Sequence, residues 1–147
     1  GFTLEDHIFK GLALGAPYVK LVAMGRATLT AAMVGKTLGN LIKSGNIPKD
    51  YAEYGNDVEE IFTAVAEMKK ILGDDWKKVP PAALGVYGYF DRLAVGLKQF
   101  MAGARKFKLE YISRDDLVAL TREAAEITGI PYVMDLDHEE SMKILFE

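Results

Sequence analysis

One short segment constrains this chain more than any other. Tyr18 to Met24 is a run of seven residues rich in β-branched and apolar side chains. It is too short for a helix and reads as a strand buried on both faces. It is the best strand candidate in the sequence, and the segments around it are punctuated as capped helices. A lone strand leaves its ladder groups unpaired. Either the segment pairs with something outside the chain, or it is not a strand here. The fold class expected for the isolated chain is therefore mainly α.

The helical segments are delimited by their ends. Thr3-Leu4-Glu5-Asp6 reads as a capping box, followed by Leu4, Ile8, Phe9 and Leu12 at helical spacing, with Gly15 and Pro17 ending the run. After a Gly25-Arg26 turn the pattern predicts a helix from Ala27 to Ser44, closed by Gly45. On it Ala27, Ala31, Gly35 and Gly39 fall four apart, a small-residue stripe that lets another backbone approach closely. Asn56 is placed to cap a helix through Leu72, with Val58, Ile61, Phe62, Val65 and Met68 on one side and Gly73 at its end. Pro80 and Pro81 suit the start of a long apolar segment, Ala82 to Lys106, in which four glycines predict one or two helices with a kink. Ser113 with Asp116 predicts a box for a helix carrying Leu117, Leu120, Ala124 and Ile127, stopped by Gly129 and Pro131. Asp137 with Glu140 opens a last short helix containing Met142, Leu145 and Phe146.

Composition removes whole classes of function. The 147 residues are the size of one ordinary domain, half of them are apolar, and 18 basic against 21 acidic residues give a net charge of −3. Binding to nucleic acid through bulk charge is disfavoured. Cysteine is absent, which excludes disulfides, thiolate nucleophiles and cysteine-held metal within this chain. Two histidines make a histidine-rich metal site improbable. The longest uncharged stretch, Val79 to Phe90, is broken by two prolines and falls far short of the ~18 apolar residues of a membrane span. No signal peptide is recognisable and a cytoplasmic location is expected.

Helix, glycine stop, buried strand, Gly-Arg and helix is the order of elements at the end of a (β/α)8 barrel. At such strand ends, free amides and the positive end of a helix hold phosphate, glycine permits close approach, and arginine adds a forked, charge-assisted contact. On spacing alone the commoner roles of Gly25 and Arg26 are a turn and a surface charge.

Three strings go further. Gly1-Phe2-Thr3-Leu4-Glu5-Asp6, then Lys10-Gly11-Leu12-Ala13-Leu14-Gly15-Ala16, then Val22-Ala23-Met24-Gly25-Arg26 resemble the closing half-repeats of FMN-dependent α/β barrels. Thr28 to Gly39, Ser113 to Thr121 and Thr128 to Asp135 resemble the C-terminal region of the FMN-binding glutamate synthase family, so that the likeness covers nearly the whole chain. The resemblance implies a parent flavoenzyme that makes glutamate from 2-oxoglutarate and amide-derived nitrogen, with FMN as electron carrier and an iron–sulfur cluster in some members. It implies that residues 1–45 are the last βα repeat of a TIM barrel and 46–147 a helical extension. Carried over by position, Gly25 and Arg26 match the FMN phosphate loop, and Gly1 the glycine of the preceding strand end. No catalytic or metal-binding residue carries over. A barrel needs roughly 200 residues or more, so the chain is expected to be cut from something longer, inactive and flavin-free alone, with the rest of the barrel or another subunit as its partner. The alternative is a stand-alone helical interaction module, with the barrel strings unused. In either case a homo-oligomer is expected, because the stripe and the strand would otherwise remain wet.

Other groups have simpler explanations. His7 reads as a partly exposed helix residue and not a general base, having no paired acid at a defined spacing. Asp135, Asp137, His138, Glu139 and Glu140 resemble a metal cluster but straddle a helix start, where acids favour the dipole, and the dipole reading is the one expected. Lys98, Arg105, Lys106 and Lys108 read as a solvated face. The aromatics Tyr51, Tyr54, Tyr87, Tyr89 and Phe90 read as core or interface.

Overall fold

The computed structural model describes residues 1–146. Eight α-helices are found among them: α1 (Glu5–Gly15), α2 (Arg26–Lys43), α3 (Lys49–Ala52), α4 (Val58–Ile61), α5 (Ala64–Leu72), α6 (Pro81–Gly103), α7 (Arg122–Thr128) and α8 (His138–Phe146), with 3-10 turns at Gly73–Lys78, Leu109–Tyr111 and Arg114–Asp116. The mainly α class is as expected. The described residues contain no strand, only an isolated parallel bridge between Ala119 and Tyr132. They divide into two compact units, one formed by 1–5 with 23–96 and the other by 6–22 with 97–146.

Tyr18 to Met24 corrects the strand reading. Tyr18 lies in a turn, with its amide and that of Val19 both donating to the Gly15 carbonyl at 2.9 Å, the residues after it form no ladder, and Tyr18 and Leu21 are in water at 90% and 88% exposure. No second strand exists among the described residues to take its amides and carbonyls, so its β propensity has nothing to act on.

In the first unit the core is Leu38 and Ile42 of α2, Phe62, Ala64, Val65 and Met68 of the α4–α5 region, and Leu84 of α6, with Ile47, Val58, Ile61, Trp76 and Val79 packed around them. Val65 and Leu84 are fully buried, each stabilising by about 2 kcal/mol. The helix expected from Asn56 to Leu72 is two helices. Asp57 caps the first by accepting from the Glu60 amide at 2.9 Å, and Glu60 in turn accepts from the Asn56 amide at 2.7 Å. Phe62 then takes an extended conformation, φ −93° and ψ 102°, and lies buried in the core. Burying that ring outweighs continuing the helix. Gly73 ends α5 at φ 56°, as expected.

The stripe on α2 meets α6 inside this unit. A Cβ on Gly35 would lie 2.6 Å from the Pro81 carbonyl oxygen and 3.1 Å from the Gly85 Cα, one on Gly39 2.4 Å from the Pro81 Cβ, and one on Gly85 2.6 Å from the Ala31 carbonyl oxygen. The two helices run antiparallel with backbones in contact, which only glycine permits. This corrects the expectation that the stripe stays wet and drives association. It also explains why Pro81–Gly103 is one helix: the ~1 kcal/mol that Gly85 costs in a helix interior is offset by a close contact no other residue allows.

In the second unit Ile8, Phe9, Leu12 and Ala13 are the buried side of α1. The Phe9 ring packs against Phe100 at 5.7 Å. The Ser113/Asp116 box forms at its amide, the Asp116 carboxylate accepting from the Ser113 N–H at 2.8 Å, but it starts only the turn Arg114–Asp116 and not a helix through Ile127. The backbone is diverted beyond it, where Ala119 donates to the Pro131 carbonyl at 2.8 Å and accepts from Val133 at 2.9 Å. Helix α7 starts later, under a Thr121 hydroxyl that accepts from the Ala124 amide at 3.1 Å, and ends on Gly129 in the left-handed region. The apolar residues of α8 are exposed.

Candidate functional site

The three residues singled out from the sequence line one cleft. It lies in the first unit, has a volume of about 800 Å³, and is walled by Gly1, Phe2 and Thr3, by Ala23 to Ala27, by Thr30, Ala31 and Val34 of α2, and by Tyr89 of α6. Two segments separated by the whole of α1 thus reach the same place.

The floor is the start of α2. Its N-cap is Gly25, φ −108° and ψ −76°, with no side chain capping the free amides of the first turn. The Gly25 carbonyl accepts from Leu29 at 3.1 Å, and the Thr30 hydroxyl donates to the Arg26 carbonyl at 2.9 Å, so the loop is tied into the helix by acceptors while its donors stay available. An 18-residue helix places the positive end of its dipole there. Arg26 is exposed, and its guanidinium is in no ion pair among the described residues.

The local structure does not require glycine at either glycine position. A Cβ on Gly25 or on Gly1 would meet nothing within 4 Å, and the Gly25 φ is one any residue adopts. The contrast is with Gly35 and Gly85, which the helix contact does require.

The opposite wall was not anticipated. Tyr89 is half-buried and its hydroxyl donates to the Thr3 carbonyl oxygen at 2.6 Å, across 86 residues of sequence. A legible signal existed: Pro81, Gly85 and Tyr89 fall four apart, matching the spacing of the α2 stripe.

No family model matches the chain, and neither a curated protein nor a solved structure similar to it is found.

Several polar groups elsewhere are locally engaged. His7 Nε2 lies 3.9 Å from the Asp6 carboxylate. Asp6 is held below the usual carboxylate range, first by its hydrogen bond from Lys10 at 2.8 Å. Asp135 accepts from both Arg122 guanidinium nitrogens at 3.2 and 3.3 Å, and that guanidinium lies 4.7 Å over the Tyr132 ring. Of the basic run, Lys106 is 3.7 Å from Asp116 and Lys108 is 3.5 Å from Glu110. The described residues hold no group of three metal-ligating side chains, and no described helix is long and apolar enough to cross a membrane.

Proposed function

We propose that this chain is the C-terminal part of a glutamate synthase-like, FMN-dependent oxidoreductase, and that its α2 end forms one edge of the FMN phosphate site. The supporting observation is that Gly1, Gly25 and Arg26, the three positions the family resemblance marks, line a single cleft at an uncapped helix N-terminus. A phosphate fits the donors present: first-turn amides, a helix dipole, and an arginine in no ion pair among the described residues. A glycine that neither its backbone nor its neighbours demand leaves room for a close approach at Gly25.

When bound, FMN supplies the electron carrier for the reductive formation of glutamate from 2-oxoglutarate and amide-derived nitrogen. The residues of this chain bind and orient its phosphate end: the amides following Gly25 donate to the phosphate oxygens and Arg26 neutralises their charge. The rest of the barrel, or another subunit, would provide the ring pocket. The 147-residue chain alone is therefore no catalyst. Lacking the ring contacts and half of the phosphate donors, it loses several hydrogen bonds of ~1 kcal/mol or more each, which weakens binding by orders of magnitude.

Flavin content tests this reading. The full-length protein is expected to purify yellow with FMN and the 147-residue chain colourless. A full-length protein free of flavin, or stoichiometric flavin on the 147 residues, contradicts it.

A second reading, a helical interaction module that self-associates, is favoured by one observation. Leu29 and Met33 of α2 are more than half exposed, beside an apolar groove lined by Val34, Leu41, Pro48 and Tyr51. Sedimentation of the chain tests this second reading: a dimer abolished by Met33→Glu is expected, and a monomer at high concentration, or a dimer unchanged by the substitution, removes it.

A further inference from the structure

Gly1 to Thr3 precede α1, whereas Gly25 and Arg26 begin α2, and α6 reaches both segments from the opposite side of the cleft. The antiparallel contact sets this up. Gly39 lies against Pro81, Gly35 against Pro81 and Gly85, and Ala31 against Gly85; one further step of four along each helix, toward the start of α2, arrives at Ala27 and Tyr89. At that step the small residue on α6 gives way to a large one, and both Ala27 and Tyr89 line the cleft. The tyrosine ring fills the wall, and its hydroxyl reaches beyond α2 to the Thr3 carbonyl at 2.6 Å. That distance is short for a hydroxyl donor to a carbonyl.

We propose that Tyr89 is a positioning residue for the phosphate cleft: by donating to Thr3 it holds the Gly1–Thr3 segment beside the Gly25–Arg26 loop, so that amides of two segments face one anion. This rests on the phosphate reading of the cleft. It assigns to the helical extension, through α6, a direct part in cofactor retention. Tyr89 itself does not touch the phosphate, because its hydroxyl hydrogen is committed to Thr3. What it supplies is preorganisation, and removing that raises the ordering cost of binding without removing a ligand contact.

The test pairs two readouts. In the 15N-labelled 147-residue chain, Tyr89→Phe keeps the ring and deletes the tether, and the backbone order parameters of Phe2 and Thr3 are expected to fall from the ordered range near about 0.85 toward the flexible range below about 0.6. In the full-length protein the same substitution is expected to weaken FMN about fivefold, as loss of one hydrogen bond does. Met68→Ala, in the core of the same unit, is expected to lower stability and leave FMN affinity unchanged. Unchanged order parameters overturn the tether. FMN affinity retained in Tyr89→Phe but lost in Arg26→Ala overturns the positioning role while leaving the phosphate reading intact. Equal weakening by Met68→Ala assigns the effect to stability and also overturns it. A full-length protein that does not bind FMN, or binds it equally with Arg26→Ala, removes the phosphate reading and this inference with it.

Discussion

The two ends of α2 use glycine in opposite ways. Toward the C-terminal end Gly35 and Gly39 are buried, and a Cβ on either would sit 2.6 Å or less from an atom of Pro81. At the N-terminal end Gly25 faces open space, with a backbone conformation open to any residue. One set of glycines is explained by helix packing alone; the other is left over after packing has been accounted for. The difference teaches that a glycine in a motif points outside the chain only where the fold does not already consume it.

The largest effect is expected at the packed end. Gly35→Ala forces a methyl against a carbonyl oxygen and the Gly85 backbone, neither of which can rotate away, and is expected to cost about 2 kcal/mol after the gain in helix propensity. Denaturant unfolding checks it, and a stability unchanged or raised would show that the two helices do not pack as described.

Gly25→Ala is the matching experiment at the open end. Stability is expected to change by less than about 0.5 kcal/mol, while FMN affinity of the full-length protein drops about fivefold as the methyl intrudes between loop and phosphate. A large stability loss there would erase the contrast between the two ends.

The smallest effect lies outside α2. The Asp6 carboxyl is depressed below its usual 3.8 by the hydrogen bond from Lys10, so the unfolded chain binds its proton more readily than the folded one. Its contribution is fully present above that unfolded value and is lost as pH falls through the depressed folded value. Thermal unfolding of Asp6→Asn and the unsubstituted chain should therefore differ at neutral pH and converge at strongly acidic pH, and a difference that persists below both values would assign it to something other than the carboxylate.

Elements whose signals are local were legible in the sequence. Pro81 at the first position of α6, Gly73 after α5 and Gly129 after α7 each act through their own backbone, and each lies where expected. Elements decided by distant partners were not. Phe62 breaks a periodic helix because a core contributed by α2 and α6 takes its ring. The Ser113/Asp116 box forms, yet the helix after it does not, because Ala119 is engaged by residues 131–133. Tyr18 to Met24 has strand composition but no partner strand among the described residues. The site divides in the same way. Gly1, Gly25 and Arg26 carry motif signals, whereas Tyr89 reads in the sequence as one aromatic among several, its role depending on a hydrogen bond to a backbone atom 86 positions away.

The central claim is that the open end of α2 holds a phosphate, and comparing FMN with riboflavin, which lacks one, tests it most directly. In the full-length protein Arg26→Ala removes a charge-assisted hydrogen bond of about 2 kcal/mol. FMN affinity measured by flavin fluorescence is then expected to fall about thirtyfold while riboflavin affinity stays the same. Equal loss for both flavins, or no loss for either, would contradict the account.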